Sequence, residues 1–340
     1  MTATRTEDQA APARRSALRK ALDTIGVQNV SLIIALAGLV ALIGSQNSRF
    51  FLTSNIKIIG MAVAVTGVLA IAQTIIIILG ALDISVGSVA GLASVTSAMI
   101  FTAMSSNAGL GILGALAVGA LCGAANGCIV VFGRVNPIIA TLATLAAFKG
   151  LAQLVSNGRA QGYTGADPVF VFIARGSIAG IPTLMWIFAL VALGAHILLK
   201  YTDIGRNIYA IGGNDTAARL SGININKYIV ACYIGTGVVA ALAGILITAR
   251  TGSGQPISGS EGQELEAITA AALGGVSFKG GRGAIAGTVL AVVLLGVLSN
   301  GMTLLDINSF WQNVAKGALL VLAVTIQQAR SGERRVGIPT

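Results

Sequence analysis

Ten times along its 340 residues the chain turns apolar for about the length of a bilayer crossing, at roughly 28–45, 58–79, 81–103, 110–132, 137–155, 182–199, 228–249, 265–276, 284–299 and 310–326. A helical crossing takes ~20 residues, somewhat fewer or more with tilt. The pattern predicts an all-α membrane protein, a polytopic bundle of about ten transmembrane helices. The third and eighth runs are heavily interrupted by glycine and polar residues. Such interruptions predict broken or partly re-entrant helices that face protein or water rather than lipid.

Composition excludes a soluble globular domain, since 55% of residues are hydrophobic and only 10% charged, against about 25% charged in soluble domains. The net charge of +10 would suit nucleic acid, but the basic residues lie between the apolar runs and no nucleic-acid partner is expected. Their distribution sets an orientation instead. With the N-terminus inside, fifteen fall on the cytoplasmic side: Arg5, Arg14, Arg15, Arg19, Lys20, Arg134, Lys200, Arg206, Arg219, Lys227, Lys279, Arg282, Arg330, Arg334 and Arg335. Five fall outside, at Arg49, Lys57, Arg159, Arg175 and Arg250, while Lys149 and Lys316 lie within spans. The positive-inside rule then predicts both termini in the cytoplasm. Residues 1–27 read as a cytoplasmic tail leading into an uncleaved first span, 28–328 as the transmembrane domain and 329–340 as a second cytoplasmic tail.

Aromatic residues make up only 5% of the chain, while glycines number 44, so helices are expected to meet through small residues. The fourth run places Gly111, Ala115, Gly119, Gly123 and Gly127 on one face, a stripe assigned here to internal packing rather than to a dimer face. Cys122, Cys128 and Cys232 all lie in apolar segments and are read as buried, inert thiols. His196 is the only histidine. No catalytic residues, metal site or cofactor are expected from such a set.

The longest polar stretch, 200–228, lies between two apolar runs. Asn214 and Asp215 are good helix N-caps, Thr216 to Ser221 can make a turn and a half, and Gly222 supplies a left-handed stop. A helix so short is unstable alone and needs a surface to dock on. Thr216-Ala217-Ala218, followed three residues later by Gly222, resembles the EAA---G signature of the cytoplasmic coupling loop of ABC-importer permeases, with Thr for the usual Glu. The wider run Gly205-Arg206-Asn207, Tyr209-Ala210, Gly212-Gly213-Asn214 and Ala217-Ala218-Arg219-Leu220-Ser221-Gly222 resembles the ribose/xylose-type sugar permeases of that superfamily.

Three further blocks are similar to the same permeases. Leu79-Gly80-Ala81-Leu82-Asp83-Ile84-Ser85-Val86-Gly87-Ser88 resembles their G-G-I-D-L-S-V-G-S block, with Ala81 in place of the second glycine. Asp83 either caps the third span at the interface or faces a cavity, because a charge at the bilayer centre costs at least ~2.5–3.5 kcal/mol. Asn126-Gly127, Arg134-Val135-Asn136-Pro137 with Thr141, and Lys149-Gly150 form the second block. Lys149 and Lys316 either snorkel to the outer interface or point into a central pathway, where each would pair with an acid or offer donors to a polyhydroxylated substrate. Pathway candidates are Asp83, Ser85, Ser88, Asn126, Thr141, Lys149 and Lys316.

The last block follows Glu261, Glu264 and Glu266 and contains Gly274, Gly275, Lys279, Gly280, Gly281, Arg282 and Gly283. It reads as a tight cytoplasmic turn. G-x-x-x-x-G-K-[ST] is absent, so no ATP site of the chain's own is expected.

The resemblance covers roughly 49–328 and implies the permease subunit of an ATP-driven importer for a monosaccharide or related polyol, in a bacterial inner membrane. Its implied partners are a second permease subunit, identical or not, a cytoplasmic ABC ATPase engaging Gly205, Arg206, Asn214, Asp215, Thr216, Ala217, Ala218, Arg219 and Gly222, an extracytoplasmic sugar-binding protein, and the lipid bilayer. Two alternatives are a permease for branched-chain amino acids or nucleosides, and a secondary transporter coupled to an ion gradient through intramembrane acids such as Asp83.

Overall fold

The structure, a computed structural model, describes residues 27–330. Apart from Val27 and the last two residues of the final helix, the expected terminal tails lie outside the described residues. Thirteen helices follow one another: α1 Val27–Gln46, α2 Thr53–Ile78, α3 Val86–Ala103, α4 Ala108–Val131, α5 Pro137–Ser156, α6 Pro168–Arg175, α7 Thr183–Tyr201, α8 Asp203–Gly213, α9 Asp215–Leu220, α10 Ile225–Thr251, α11 Gln263–Leu273, α12 Ile285–Leu304 and α13 Ser309–Arg330. A two-stranded hairpin, Ser177–Ile178 with Ile181–Pro182, is the one sheet among the described residues.

Eight of these helices are long and apolar enough to cross a membrane: all of α1 to α5, with α7, α10 and α12. The fold is thus the expected all-α polytopic bundle. Three expected spans differ in detail: the tenth corresponds to α13, which is 22 residues long but is not among these eight. The third begins at Val86 rather than near 81, because the chain leaves α2 through a left-handed Gly80 and does not resume a helix until after Asp83 and Ser85. The eighth is only an eleven-residue helix, α11.

Every residue of α2 from Val63 through Thr74 is buried. A helix apolar all round is stable only when neighbours cover every face, so α2 is the centre of the bundle. Phe188 of α7 packs on Gly67 and Met185 on Gly60, where no side chain could fit between the helices. The glycine stripe of α4 is internal, as expected: Gly119 abuts Gly237 of α10, Gly123 abuts Tyr233, and Gly127 lies against Val230. Small residues let these backbones approach, which gains dispersion contacts that lipid cannot offer. Of the three cysteines, Cys122 and Cys232 are buried, but Cys128 is exposed. It lies beside Gly127 yet projects from the outer side of α4, so the expectation of three buried thiols is corrected.

Candidate functional site

The 200–228 stretch folds into two helices, of which sequence reasoning found one. Thr202 caps α8 by accepting from the N–H of Gly205 at 3.2 Å, and Gly205 lies against the carbonyls of Leu198 and Leu199, where a side chain would collide. Asn214 caps α9, accepting from Ala217 N at 2.9 Å. At the other end Gly222 N–H bonds Arg219 O at 3.0 Å and Ile223 N–H bonds Ala218 O at 3.1 Å, with Gly222 left-handed at φ +83°. That is a Schellman stop. Ala218 is the inward residue at 4% exposure, whereas Leu220 is 85% exposed and Asp215, Thr216, Ala217 and Arg219 are exposed beside it. Arg206 pairs with Asp203 on the surface of α8.

Three chain segments meet under α8. Gly281 N–H donates to Ile78 O, the end of α2, at 2.8 Å. A Cβ on Gly212 would overlap Ile78 O and come within 2.6 Å of Gly281 N, and one on Gly280 would lie 2.7 Å from Gly212 O. Only glycines permit this approach, and Gly80, Gly280 and Gly281 all have positive φ. Tyr209 of α8 completes the joint by donating to Gly283 O at 2.7 Å. Burial raises its phenol pKa above the ordinary value, so it remains a donor. The turn itself is closed by Ser277 N–H on Arg282 O at 2.9 Å, and leaves Lys279 and Arg282 exposed. Gly274 abuts Gly287 and Thr288 of α12, while Gly275, with φ +87°, lies against Gln28. Gln28 Nε2 caps the end of α11 by donating to Leu273 O at 2.9 Å.

Asp83, Ser85, Asn126 and Thr141 meet in one buried knot, with Asp83 at 1% exposure. Asp83 Oδ1 accepts from Ser85 N at 2.9 Å and Ser85 Oγ at 2.6 Å. Asn126 Nδ2 donates to Ser85 Oγ at 2.8 Å, and Thr141 Oγ1 accepts from Ile84 N at 3.1 Å. Gln73 donates to Asp83 O and Tyr233 to Leu82 O at 3.0 Å. These bonds satisfy the backbone where the helix is broken, which is obligatory away from water. In this conformation the four candidates face one another rather than an open cavity.

Ser88 and Lys149, by contrast, line a cavity of about 200 Å³ with Gly87, Pro256, Ser260, Glu261 and Glu264. The 252–262 segment descends along α3: Gln255 N bonds Ser94 Oγ at 2.9 Å, Pro256 O abuts Gly91, and the Glu264 carboxylate presses on Gly87. Thr66, in the middle of α2, donates to Gln263 at 2.7 Å. Hence α11 starts at half the depth of α2, and the interrupted eighth run is a re-entrant loop followed by a half-length helix. Lys149 reaches across from α5 to Glu261 at 2.5 Å, and Lys316 from α13 to Glu266. Both lysines therefore hold an acid, one of the two roles their sequence positions suggested. The acids' depth was not legible, because a half-helix that begins inside the bundle looks like a weak span. The one signal was the glutamates themselves, Glu261 and Glu264 directly before the eighth run and Glu266 at its start.

The description "Branched-chain amino acid transport system / permease component" matches residues 55–324. The chain belongs to this permease family. Among its relatives, the permease is 39% identical over 300 residues to the ribose import permease protein RbsC of Escherichia coli (strain K12), covering 88% of this chain and 93% of that one. It is 35% identical over 294 residues to the D-allose transport system permease protein AlsC of the same strain, covering 86% and 89%. To the strain's L-arabinose transport system permease protein AraH it is 34% identical over 281 residues, covering 83% and 84%. No solved structure matches the permease.

Proposed function

We propose that this permease is the membrane-spanning subunit of an ATP-driven importer that carries a monosaccharide or related polyol across an inner membrane. The observation that carries the reading is α9. A six-residue helix, capped at both ends and offering Leu220 at 85% exposure, needs a partner surface. A cytoplasmic ATPase is the partner that the coupling-loop pattern implies. The relatives' names, ribose, D-allose and L-arabinose, favour a sugar over an amino acid. On this reading both termini and 200–228 are cytoplasmic, a second permease subunit completes the pathway, and an extracytoplasmic binding protein delivers substrate.

The mechanism is alternating access driven from the partner. A push on α9 and α8 reaches α2 and the 274–283 turn through the Gly212, Ile78 and Gly281 contact. From there it passes down α11 to Glu264, which lines the cavity with Ser88 and Lys149, and to Glu266, which lines a separate cavity with Lys316. The knot around Asp83, Ser85, Asn126 and Thr141 keeps the break before α3 rigid while this happens. Polar donors such as Lys149 and Ser88 suit hydroxyl groups, and the small-residue walls impose little steric selection.

Mild-detergent copurification of the tagged permease with its partners tests the reading, comparing wild type with Leu220→Glu, and scoring uptake of labelled ribose, allose and arabinose against leucine. Expected are a copurifying ATPase that the variant loses, and saturable sugar uptake without leucine uptake. An intact permease oligomer that captures no ATPase would sink the importer reading, and leucine uptake would sink the sugar assignment.

A further inference from the structure

One cavity among the described residues belongs neither to the joint under α8 nor to the lysine clusters. It is an open groove of about 570 Å³ between α7 and α10, floored by Ala72 and Ile75 of α2 and closed at one end by Ile204 and Ile208 of α8. From Tyr228 to Val239 its wall follows about 16 Å of α10, close to the ~15 Å hydrocarbon depth of one leaflet. The lining is mostly aliphatic, with Cys232 and Thr236 along α10, and at the α8 end Lys227 is the one charged lining residue, beside Tyr228. Gly194 and Gly235 face the groove with nothing within 4 Å of where a side chain would go, so the space is real rather than a thin seam between packed helices.

We propose that this groove holds one acyl chain of an anionic phospholipid of the cytoplasmic leaflet, with its phosphate at Lys227. The inference rests on the orientation that places 200–228 in the cytoplasm. The groove has the length of one leaflet, it opens sideways from transmembrane helices, and its single cation stands at the headgroup end. Anionic headgroups and an ammonium at that depth are complementary. A second permease copy fits less well. The helices that carry Lys149 and Lys316, α5 and α13, pack against α3 and α4 and against α11 and α12, away from the α7 and α10 walls, so a pathway formed on their side leaves the groove facing lipid. Because Ile204 and Ile208 belong to α8, the chain would also pack against the base of the coupling module.

The test is native mass spectrometry of the full importer, released from vesicles of equal phosphatidylglycerol and phosphatidylcholine. Wild type is compared with a Gly194→Leu/Gly235→Leu variant that fills the groove and with Lys227→Ala. Wild type should retain one phospholipid per permease chain, with about five-fold preference for phosphatidylglycerol, the effect of one interfacial lysine. The filled variant should lose that lipid, and Lys227→Ala should keep a lipid but lose the preference. A photo-crosslinking residue at Ala231 gives an independent readout if the double variant fails to assemble: wild-type background labelling should fall on lipid. Crosslinks to polypeptide, equal lipid retention in the filled variant, or an unchanged preference in Lys227→Ala would each overturn the proposal. Labelling a Leu220→Cys variant from each side of the membrane tests the orientation separately, and loss of ATPase copurification would fail the importer reading without touching the lipid result.

Discussion

Ile78, the last residue of the central helix, accepts a hydrogen bond at 2.8 Å from the N–H of Gly281, more than two hundred residues later in the chain. Gly212 of α8 is pressed onto both. At this point α8 meets the core backbone to backbone, so no side chain lies between them to absorb a displacement. Gly212→Ala would put a methyl group against Ile78 O and force the joint apart. Overpacking of this kind costs about 1–3 kcal/mol. In the reconstituted importer, uptake should fall further than ATP hydrolysis, because on the proposed reading the ATPase docks on α9, which the substitution leaves intact. Equal losses of the two rates would argue that the joint supports assembly rather than transmission.

The two intramembrane ion pairs should differ in worth. Lys316 and Glu266 are each 23% exposed at the side chain, whereas Lys149 and Glu261 are 37% and 61% exposed. A more enclosed pair leaves a more costly orphan when one partner is removed, while an exposed pair contributes about 0–1 kcal/mol. Lys316→Met should therefore lower the thermal stability of the detergent-solubilised permease more than Lys149→Met does. Adding Glu266→Gln to Lys316→Met should recover part of the loss. No recovery would mean that the ammonium acts through something other than Glu266.

Gly87 is a packing requirement set by Glu264. A Cβ there would meet the Glu264 carboxylate and lie 2.9 Å from Ser260 O. Gly87→Ala should lower stability by about 1–3 kcal/mol and reduce uptake, because the re-entrant segment would have to lift. In a double-mutant cycle with Glu264→Ala the two changes should be non-additive by at least ~0.5 kcal/mol. Additivity in thermal unfolding would show that Gly87 serves the local helix start instead.

Hydrophobic run length made the bundle legible: nine of the ten expected crossings coincide with long helices to within about five residues, eight of them apolar enough to cross a membrane, since burial in lipid leaves the backbone no alternative to a helix. Period and composition could not place the eighth. Its eleven helical residues are too few to span, and the polar 252–262 segment before it is stabilised by long-range bonds to Ser94 and Thr66 that no local pattern announces. The α9 caps at Asn214 and Gly222 were legible because capping is local chemistry. Missed were α8, whose cap is the less conspicuous Thr202, and α6, capped by Asp167 with proline at its start. The partners of Lys149 and Lys316 were invisible for a third reason: each pair closes a contact fifty or more residues apart. Asp83 fell between its two readings. It does not cap α3, whose N-cap is Ser85 without a side-chain cap bond; its carboxylate accepts from Ser85 just ahead of that helix, inside the bundle at 1% exposure, where Gln73, Asn126 and Tyr233 come from three other helices to complete the knot.

Gly222 offers the most direct test of the coupling helix. Its φ of +83° is open to glycine, tolerated by asparagine, and costs other L-residues about 1–2 kcal/mol. No neighbour lies within 4 Å of the position a Cβ would take, so a substitution there acts through backbone conformation alone. Gly222→Val should unwind the Schellman stop, release the carbonyls of Ala218 and Arg219, and fray a helix only six residues long. ATPase recovered with the permease should then fall about five- to thirty-fold, the equivalent of that backbone cost, while Gly222→Asn should fall much less. The transmembrane bundle should keep its thermal stability in both variants, because the affected helix lies at its surface. If valine and asparagine behave alike, the left-handed stop is not what positions α9 for its partner, and the exposed Leu220 face alone must carry the docking.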